Sequence, residues 1–549
     1  MGKKKNGNEF LVQGSILAAA GMISRIIGMI YRIPLLNIMG ITGQGFYEVA
    51  YQIYNIALIL TSYSLPLAVS KLVSARLSKG QEKNAYRILK TALLFAAVVG
   101  GGVSFLIFFG ADFIAGDIMK MGMSAYGLRV LAPGLFIVAV MGVLRGYFQG
   151  RGSMVPTAVS QILEQIIHAI VSIVGAAVLL KYGQNIAEKQ GNKLYGPAYS
   201  AAGATLGVIV GGLTALMFLI LIFYAYKNVL RKKMYRDKHA EKESFRFLFR
   251  ILILTIAPVI LSSTVYNIQN VIDSAMFTSI MSAQGFSEKY AADLLGSLGQ
   301  YYTLFNVPLF MANALGSSVV PPLVRAYENK DSGQVHQKIE LAMRMTMLIA
   351  VPSAVAFIVI PKEMLDLIWG SIDNTVAANL FRIGAVSIVF YSISTLTNAV
   401  LQGINKMMAP VKNATVSLII HVVCLFIMLV VFHWSIYAVV ASKVVFGITM
   451  CILNAHDLRE AVGYIQEKKK TFILPTIAAV IMGVVVFVVQ FMLALVIHDK
   501  VATVIAIVVG VVVYGVGLLA IGGLTEQEIR SMPKGIQIAG LLKKVHLLK

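Results

Sequence analysis

The chain has 549 residues, of which 58% are hydrophobic and 13% charged, and its formal net charge is +22. Apolar segments of about 20 residues or more follow one another, and each is long enough to cross about 30 Å of hydrocarbon. A transmembrane β-barrel is excluded, because its strands read as alternating segments of about ten residues. The composition therefore predicts an all-α polytopic membrane protein.

Apolar runs and the loops between them predict fourteen spans. They lie near 11–35, 46–75, 91–111, 124–148, 156–180, 197–226, 248–277, 296–324, 340–360, 376–402, 408–432, 435–456, 472–496 and 501–524. With these spans, 34 of the 47 Lys and Arg residues fall on one side of the membrane and 8 on the other. The positive-inside rule then places both termini in the cytoplasm. The basic excess is explained by this topology, so we predict no nucleic-acid partner.

The first span carries two arginines, Arg25 and Arg32, within SRIIGMIYRIP. A separation of seven residues is nearly two helical turns, so both lie on one face, about 10 Å apart along the axis. Small residues share this face: Gly14, Ala18, Gly21 and Gly28. In one interpretation the glycines permit close helix packing and the arginines pair with carboxylates. In the other the face is a cavity wall that binds a phosphate group, and we expect Pro34 to end it.

Further charged residues in spans 2, 4 and 5 extend this hypothesis. We group Ser24, Gly28, Lys71 and Arg129 with the two arginines as a candidate headgroup site, although Lys71 and Arg129 also fit an interfacial position. In span 5, Glu164 is either the counter-ion of a buried arginine or a protonatable coupling residue. His168, four residues later, is either a packed, hydrogen-bonded side chain or a proton carrier.

Two segments about 250 residues apart are similar: LRGYFQGRGSMVPTAVSQILEQIIHAI from Leu144 and NAVLQGINKMMAPVKNATVSLIIHVV from Asn398. Each segment has Gln-Gly, then a short basic loop, then a proline and a histidine. The Gln-Gly pairs are at 149–150 and 402–403, the prolines at 156 and 410, and the histidines at 168 and 421. This favours an internal duplication of six spans, as in many transporters. The predicted domains are an N-lobe at 1–226, a basic cytoplasmic linker at 227–247, a C-lobe at 248–457, and spans 13 and 14 with a cytoplasmic tail at 458–549.

In the second lobe, span 7 carries a polar stripe of Ser263, Tyr266, Asn270 and Asp273. Such a stripe either holds a cation or a sugar, or forms a polar seam between helices. Lys443 of span 12 is a candidate partner for Asp273. No Walker A motif and no metal-ligand spacing occurs in the chain, so we predict a transporter without a cofactor or an ATPase subunit. Coupling to a proton or a monovalent cation stays open.

SRIIGMIYRIP at 24–34, MGITGQGFY at 39–47, LRGYFQGRGSMVPTAVSQILEQI at 144–166 and the 6+6+2 span count together resemble one superfamily. It is the multidrug/oligosaccharidyl-lipid/polysaccharide (MOP) exporter superfamily, in the polysaccharide branch of stage V sporulation protein B and the MurJ-like lipid II flippases. The resemblance implies two lobes in a V shape around a central cavity. It also implies a flippase of the bacterial cytoplasmic membrane that moves an undecaprenyl-pyrophosphate-linked saccharide by alternating access, with lipid II as the leading cargo.

The chain departs from the MurJ-like pattern at several positions. Its two arginines are seven residues apart where that group commonly has six, and Ile33 follows the second where an acidic residue is common. That group also has arginines late in span 2, and this chain offers only Lys71 nearby. Span 11 lacks the carboxylate of that group's sodium site. Two alternative functions stay open, namely cation-coupled export of organic cations and a membrane-embedded glycosyltransferase or polymerase.

Overall fold

The computed structural model describes residues 2–237 and 241–524, together with Gln537 and Gly540. Side chains are not described for residues 2–12, 14, 258, 262, 266, 315, 317 and 318. The end of the predicted cytoplasmic tail, from 525 onward, lies outside the described residues except at 537 and 540. Over these ranges the regular elements are all helices, which confirms the predicted all-α membrane fold. Large apolar side chains on the outer surface are exposed, as expected of helices that face lipid: Phe105, Phe109, Leu221, Ile452 and Val484.

The contacts divide the chain into two compact units, Met1–Gly296 and Ser297–Lys549. The helices that begin in the first unit are α1 Gly2–Ile30, α2 Arg32–Leu58, α3 Leu65–Leu77, α4 Glu82–Phe95, α5 Gly101–Asp112, α6 Ser124–Gly150, α7 Val155–Gln190, α8 Tyr195–Arg236, α9 Phe245–Ala283 and α10 Glu288–Glu328. Short π-helical segments connect or extend several of them: Ile59–Tyr63, Ala96–Gly100 and Phe113–Ile118.

In its described residues, the second unit contains the rest of α10 and eight further helices. They are α11 Ser332–Val359, α12 Pro361–Trp369, α13 Thr375–Gly384, α14 Ser387–Gly403, α15 Met408–Val430, α16 Ile436–Val462, α17 Leu474–Ala494 and α18 Asp499–Ala520. A π-helical segment, Lys469–Ile473, precedes α17. Predicted span 10 is a broken helix, since α13 and α14 are bent by 55° relative to each other.

The predicted spans fall on these helices, but the count of fourteen is not confirmed. Within the described residues, twelve helices are long and apolar enough to cross a membrane, or thirteen with the bent pair taken as one span. Span 1 is absent from this count because the apolar helix described there, Ser15–Ile30, is short. The firm conclusion is a helical membrane protein with many spans.

Glycines bring helices of the first unit into backbone contact. A Cβ atom added to Gly175 of α7 would lie 2.5 Å from the carbonyl oxygen of Gly203 in α8, and one added to Gly203 would lie 2.1 Å from that of Gly175. The start of α10 packs on α2 in the same way, since a Cβ atom on Gly45 would lie 2.0 Å from the Ala292 carbonyl oxygen. Thr42 of α2 also donates a hydrogen bond to Asp293.

The predicted linker at 227–247 is helical in its first part, and its last part contacts α3 and α4. Helix α8 continues to Arg236, and the residues after the gap are attached to α3 and α4. Asn84 Nδ2 donates to the Glu241 carbonyl at 2.9 Å, and Arg87 Nη1 donates to the Glu243 carbonyl at 2.6 Å. Arg76 forms an ion pair with the Glu243 side chain at 3.2 Å. These contacts hold the start of α9 in the first unit, while the predicted lobe boundaries stay a prediction.

The two similar segments adopt the same helix-end turn. In the first, Gly152 has a φ of 82°, and the amides of Gly152 and Ser153 donate to the carbonyls of Gln149 and Phe148. In the second, Asn405 has a φ of 65°, and the amides of Asn405 and Lys406 donate to Gln402 and Leu401. Both sets match the Schellman motif, which satisfies free carbonyls at a helix end. The shared turn supports the predicted duplication.

A second pair of turns, which the sequence comparison missed, has nearly the same offset. After α3, Gly80 has a φ of 72° and its amide donates to Leu77, while the amide of Gln81 donates to Arg76. After α10, the same pattern recurs, with Lys330 at a φ of 57°. There the amides of Lys330 and Asp331 donate to Tyr327 and Ala326. Lysine replaces glycine at the left-handed position, so the sequence carried no turn signal there.

Candidate functional site

The two arginines of the first span lie on one nearly continuous helix. Pro34 has no amide hydrogen, and this removes the bond that would reach the carbonyl of Ile30, where α1 ends. The helical bonds on either side persist, from the Tyr31 amide to Ile27 at 3.1 Å and from the Leu35 amide to Tyr31 at 3.2 Å. The helical register is therefore kept from Arg25 to Arg32.

The chain changes direction at Gly40. Its φ of 69° and ψ of 176° interrupt α2, and such a conformation is essentially restricted to glycine. The expectation that Pro34 ends the arginine face is wrong, because the helix runs past Pro34 to Met39.

Arg32 is half-buried, and aromatic side chains and one acidic side chain lie near it. Its guanidinium lies near Tyr31, Tyr47 and Tyr51 and near the carboxylate of Glu48. The rings of Tyr47 and Tyr51 are stacked, with centroids 5.6 Å apart. Sequence reasoning missed these tyrosines, although the i, i+4 spacing places Tyr47 and Tyr51 on one helix face.

His168 of α7 belongs to the same cluster. Its Nε2 lies 3.3 Å from the Tyr31 hydroxyl, within hydrogen-bond distance, and the two rings are 5.1 Å apart. The imidazole also interacts electrostatically with Arg32. The structure thus brings together Arg32 and His168, which the sequence placed on separate spans.

Small residues of α1 meet α7 on one part of this face and leave room on another. A Cβ atom on Gly28 would lie 3.3 Å from Gln165 Nε2, whereas one on Gly21 would have no atom within 4 Å. Ser24 Oγ is buried and makes no hydrogen bond with the residues described. The face is therefore closely packed at Gly28 and open at Gly21, and both interpretations of it stay predictions.

Glu164 pairs with Arg145, an arginine near the end of predicted span 4. Arg145 Nη2 donates to Glu164 Oε2 at 2.8 Å, and Arg145 Nε donates to Ser160 Oγ at 2.9 Å. The side chains of Arg145 and Glu164 are only 11% and 26% exposed, so both are largely enclosed by protein. Near the equivalent position of the second repeat, Asn398 accepts a hydrogen bond from Asn454.

The remaining cationic candidates of the first unit are exposed. Arg25 is exposed on α1, and Lys71 is exposed on α3. Arg129 of α6 forms an exposed ion pair with Asp112. Among the described contacts, none joins Lys71 or Arg129 to Arg32, so their place in a headgroup site stays a prediction.

The predicted polar stripe of span 7 lies on α9. Asp273 is buried and Asn270 is half-buried, while the side chain of Tyr266 is outside the described set. Lys443 lies on α16 in the second unit, where its Nζ is 5.1 Å from the ring centroid of Tyr302, a cation–π contact. The predicted pairing of Lys443 with Asp273 stays a prediction.

Comparisons with known proteins agree with this arrangement of helices. A family model described as "Polysaccharide biosynthesis protein" matches residues 11–327, and a MatE model matches residues 258–427. Stage V sporulation protein B of Bacillus subtilis (strain 168) is 26% identical over 526 residues, which cover 95% of this chain and 98% of that protein. Lipid II flippase MurJ of the same organism is 26% identical over 500 residues, covering 88% of this chain and 89% of that protein.

A solved structure of lipid II flippase MurJ in an inward closed conformation has the same fold. It superposes with a TM-score of 0.66 at 14% sequence identity, and the match covers 91% of this chain and 97% of that one. The first family model spans more than half of the 549 residues. The chain therefore belongs to the polysaccharide biosynthesis protein family.

Proposed function

We propose that the chain is a flippase that moves an undecaprenyl-pyrophosphate-linked saccharide across the bacterial cytoplasmic membrane by alternating access. The observation that carries the proposal is the arginine face of α1 and α2, where Arg25 and Arg32 keep one helical register. Two relatives that cover most of the chain are a lipid II flippase and a sporulation protein, and lipid II is the leading cargo. A charge in a membrane helix is costly, so its retention favours a functional role.

Phosphate chemistry fits these residues. A guanidinium offers paired N–H donors that match the oxygens of a phosphate group, and a pyrophosphate offers two such groups. Arg25 is exposed, whereas Arg32 is half-buried near tyrosines. An anion that moves along this face would therefore pass from a solvent-exposed guanidinium to a less exposed one. The tyrosine hydroxyl groups and His168 supply further hydrogen-bonding groups beside Arg32.

The driving force is part of the proposal. No cofactor is required by the residues of the site, and coupling to a proton or a monovalent cation would use Asn270 and Asp273 of α9 or the His168 cluster. Glu164 is a weaker candidate for coupling, because its carboxylate already accepts a hydrogen bond from Arg145.

The test is complementation of a strain depleted of its lipid II flippase. We expect Arg25→Ala and Arg32→Ala each to reduce translocation at least about tenfold, the effect of losing one charge-assisted contact of about 1.5–3 kcal/mol. Arg382→Ala is the matched control, since Arg382 is exposed on α13 and its guanidinium bonds only Asn379 among the described residues. Membrane levels of all variants are measured by immunoblot, and full activity of the Arg25→Ala/Arg32→Ala double variant would contradict the proposal.

Export of organic cations is a second candidate, favoured by the match of residues 258–427 to the MatE model. Such a transporter needs acidic cavity walls to bind a cation, whereas the face described here is basic. Drug accumulation in cells that express the chain discriminates the two functions. Reduced accumulation of ethidium, unchanged by Arg32→Ala, would favour cation export over the flippase.

A further inference from the structure

A cavity of about 620 Å³ lies within the second unit. It is bounded by α12 and the loop after it, by the end of α17 and by the start of α18. Its volume is in the range of pockets that hold small ligands. The predicted topology places it on the extracytoplasmic side of the membrane.

The less exposed part of the lining includes two carboxylates and two amides. Glu363 and Asp366 of α12 are half-buried, and Asn374 and Gln490 are buried. The lysines of the lining, Lys362 and Lys500, are exposed. Neither carboxylate forms an ion pair with a lysine in the part of the chain that the structure describes.

Asn374 is held rigidly in this wall. Its Nδ2 donates to Asp366 Oδ1 at 2.7 Å and to the Trp369 carbonyl at 3.0 Å. Its Oδ1 accepts a hydrogen bond from Gln300 Nε2 at 2.8 Å. The position of Asp366 is thereby preorganised, and one of its carboxylate oxygens is left without a described hydrogen bond.

Gln490 gives an independent indication of a ligand. Its side chain lines the cavity at 6% exposure, and its Oε1 accepts no hydrogen bond from the residues described. A buried amide oxygen without a donor is unfavourable, so a ligand that donates a hydrogen bond here would be stabilised.

A metal ion does not fit these acceptors. Among the described residues, the carboxylate and imidazole atoms that converge closely enough for a metal belong to His456, Asp457 and Glu460, which lie outside this cavity. The cavity acceptors are instead spread along a wall that also contains the stacked rings of Phe487 and Phe491, with centroids 6.5 Å apart. Spread acceptors beside an apolar surface suit an organic molecule.

We propose that this cavity binds a small organic ligand that carries a protonated primary amine on a short hydrocarbon chain. The ammonium group, with three donors, lies against the carboxylates of Glu363 and Asp366 and the Gln490 carbonyl oxygen. The hydrocarbon part packs on Phe487 and Phe491, which also attract a cation through their ring faces. This site is independent of the proposed flippase site.

The test uses the two tryptophans of the chain, Trp369 and Trp434. In a Trp434→Phe background, the fluorescence of Trp369 reports on the cavity wall, because Asn374 bonds the Trp369 carbonyl. The probe is 1,5-diaminopentane, and the full-length protein is placed in nanodiscs of phosphatidylcholine. We expect a saturable fluorescence change with the diamine, and none with 1,5-pentanediol or glutarate at the same concentrations.

Variants test the role of charge. We expect Glu363→Gln to raise the Kd of the diamine about tenfold and Lys362→Gln to lower it, because the two changes remove opposite charges. Glu460→Gln, outside the cavity, is the matched control and leaves the Kd unchanged. Thermal unfolding of each variant excludes a folding defect as the cause.

Binding of radiolabelled 1,5-diaminopentane provides a second measurement if the fluorescence does not respond. The proposal is overturned if neither measurement shows saturable binding, if glutarate binds at least as tightly as the diamine, or if Glu363→Gln and Lys362→Gln change the Kd in the same direction.

Discussion

Arg145 and Glu164 illustrate how a single residue can be identified without its partner. The sequence marked Glu164 as a carboxylate within an apolar helix, with an ion pair as one interpretation. Arg145 lies near the end of predicted span 4, and its distance of 19 residues from Glu164 carries no periodic signal. Only the packing of α6 beside α7 shows that the two side chains meet at 2.8 Å.

Removing one member of this pair leaves a largely enclosed charge unpaired. We expect Glu164→Gln to destabilise the protein by about 2–3 kcal/mol, because Arg145 loses its counter-ion. Thermal unfolding in detergent measures the effect, and the Arg145→Leu/Glu164→Leu double variant should recover most of the stability. A Glu164→Gln protein as stable as the wild type would show that the pair is dispensable for folding.

At the scale of elements, the first helices continue past a proline and change direction at a glycine. Pro34 removes one backbone bond, yet the helical bonds of the Tyr31 and Leu35 amides persist on either side. Gly40 redirects the chain through a conformation that side chains with a Cβ atom rarely adopt. This break sets where the arginine face ends and where the tyrosines of α2 begin.

Gly40→Ala should therefore be costly even though no neighbouring atom lies within 4 Å of the added Cβ. The strained backbone predicts a loss of about 1–3 kcal/mol, measured as a lower midpoint in thermal unfolding followed by size-exclusion chromatography. Gly21→Ala is the matched control, because Gly21 is helical and also has open space around it. Alanine at 21 should be neutral or stabilising by up to about 1 kcal/mol. Equal losses in both variants would rule out the backbone explanation.

For the whole molecule, the distribution of basic residues predicts which loops face the cytoplasm. Lys193 and Lys406 are exposed and are predicted to lie on opposite sides of the membrane. In a background without Cys424 and Cys451, we expect Lys193→Cys to react with an impermeant maleimide in intact cells. Lys406→Cys should react only after permeabilisation, and the reverse pattern would invert the predicted orientation.

The helical membrane fold and the positions of the spans were determined by the sequence itself, because a helix that crosses lipid must be apolar over its length and satisfy its own backbone bonds. The shared register of Arg25 and Arg32 follows from the same local geometry, as does the turn repeated at Gly152 and Asn405. These features depend on interactions between residues a few positions apart. Helical periodicity and turn-forming residues in the sequence indicate such interactions.

Contacts between distant helices were decided only by the tertiary structure. The enclosure of Arg32 by tyrosines, its proximity to His168, and the cavity at Glu363 and Gln490 each join segments tens to more than a hundred residues apart. In helices whose surfaces are apolar on both the lipid and the protein side, hydrophobic periodicity does not identify the packed face. Which polar residues meet is therefore set by the close packing of small residues, such as Gly175 on Gly203, and becomes visible only in three dimensions.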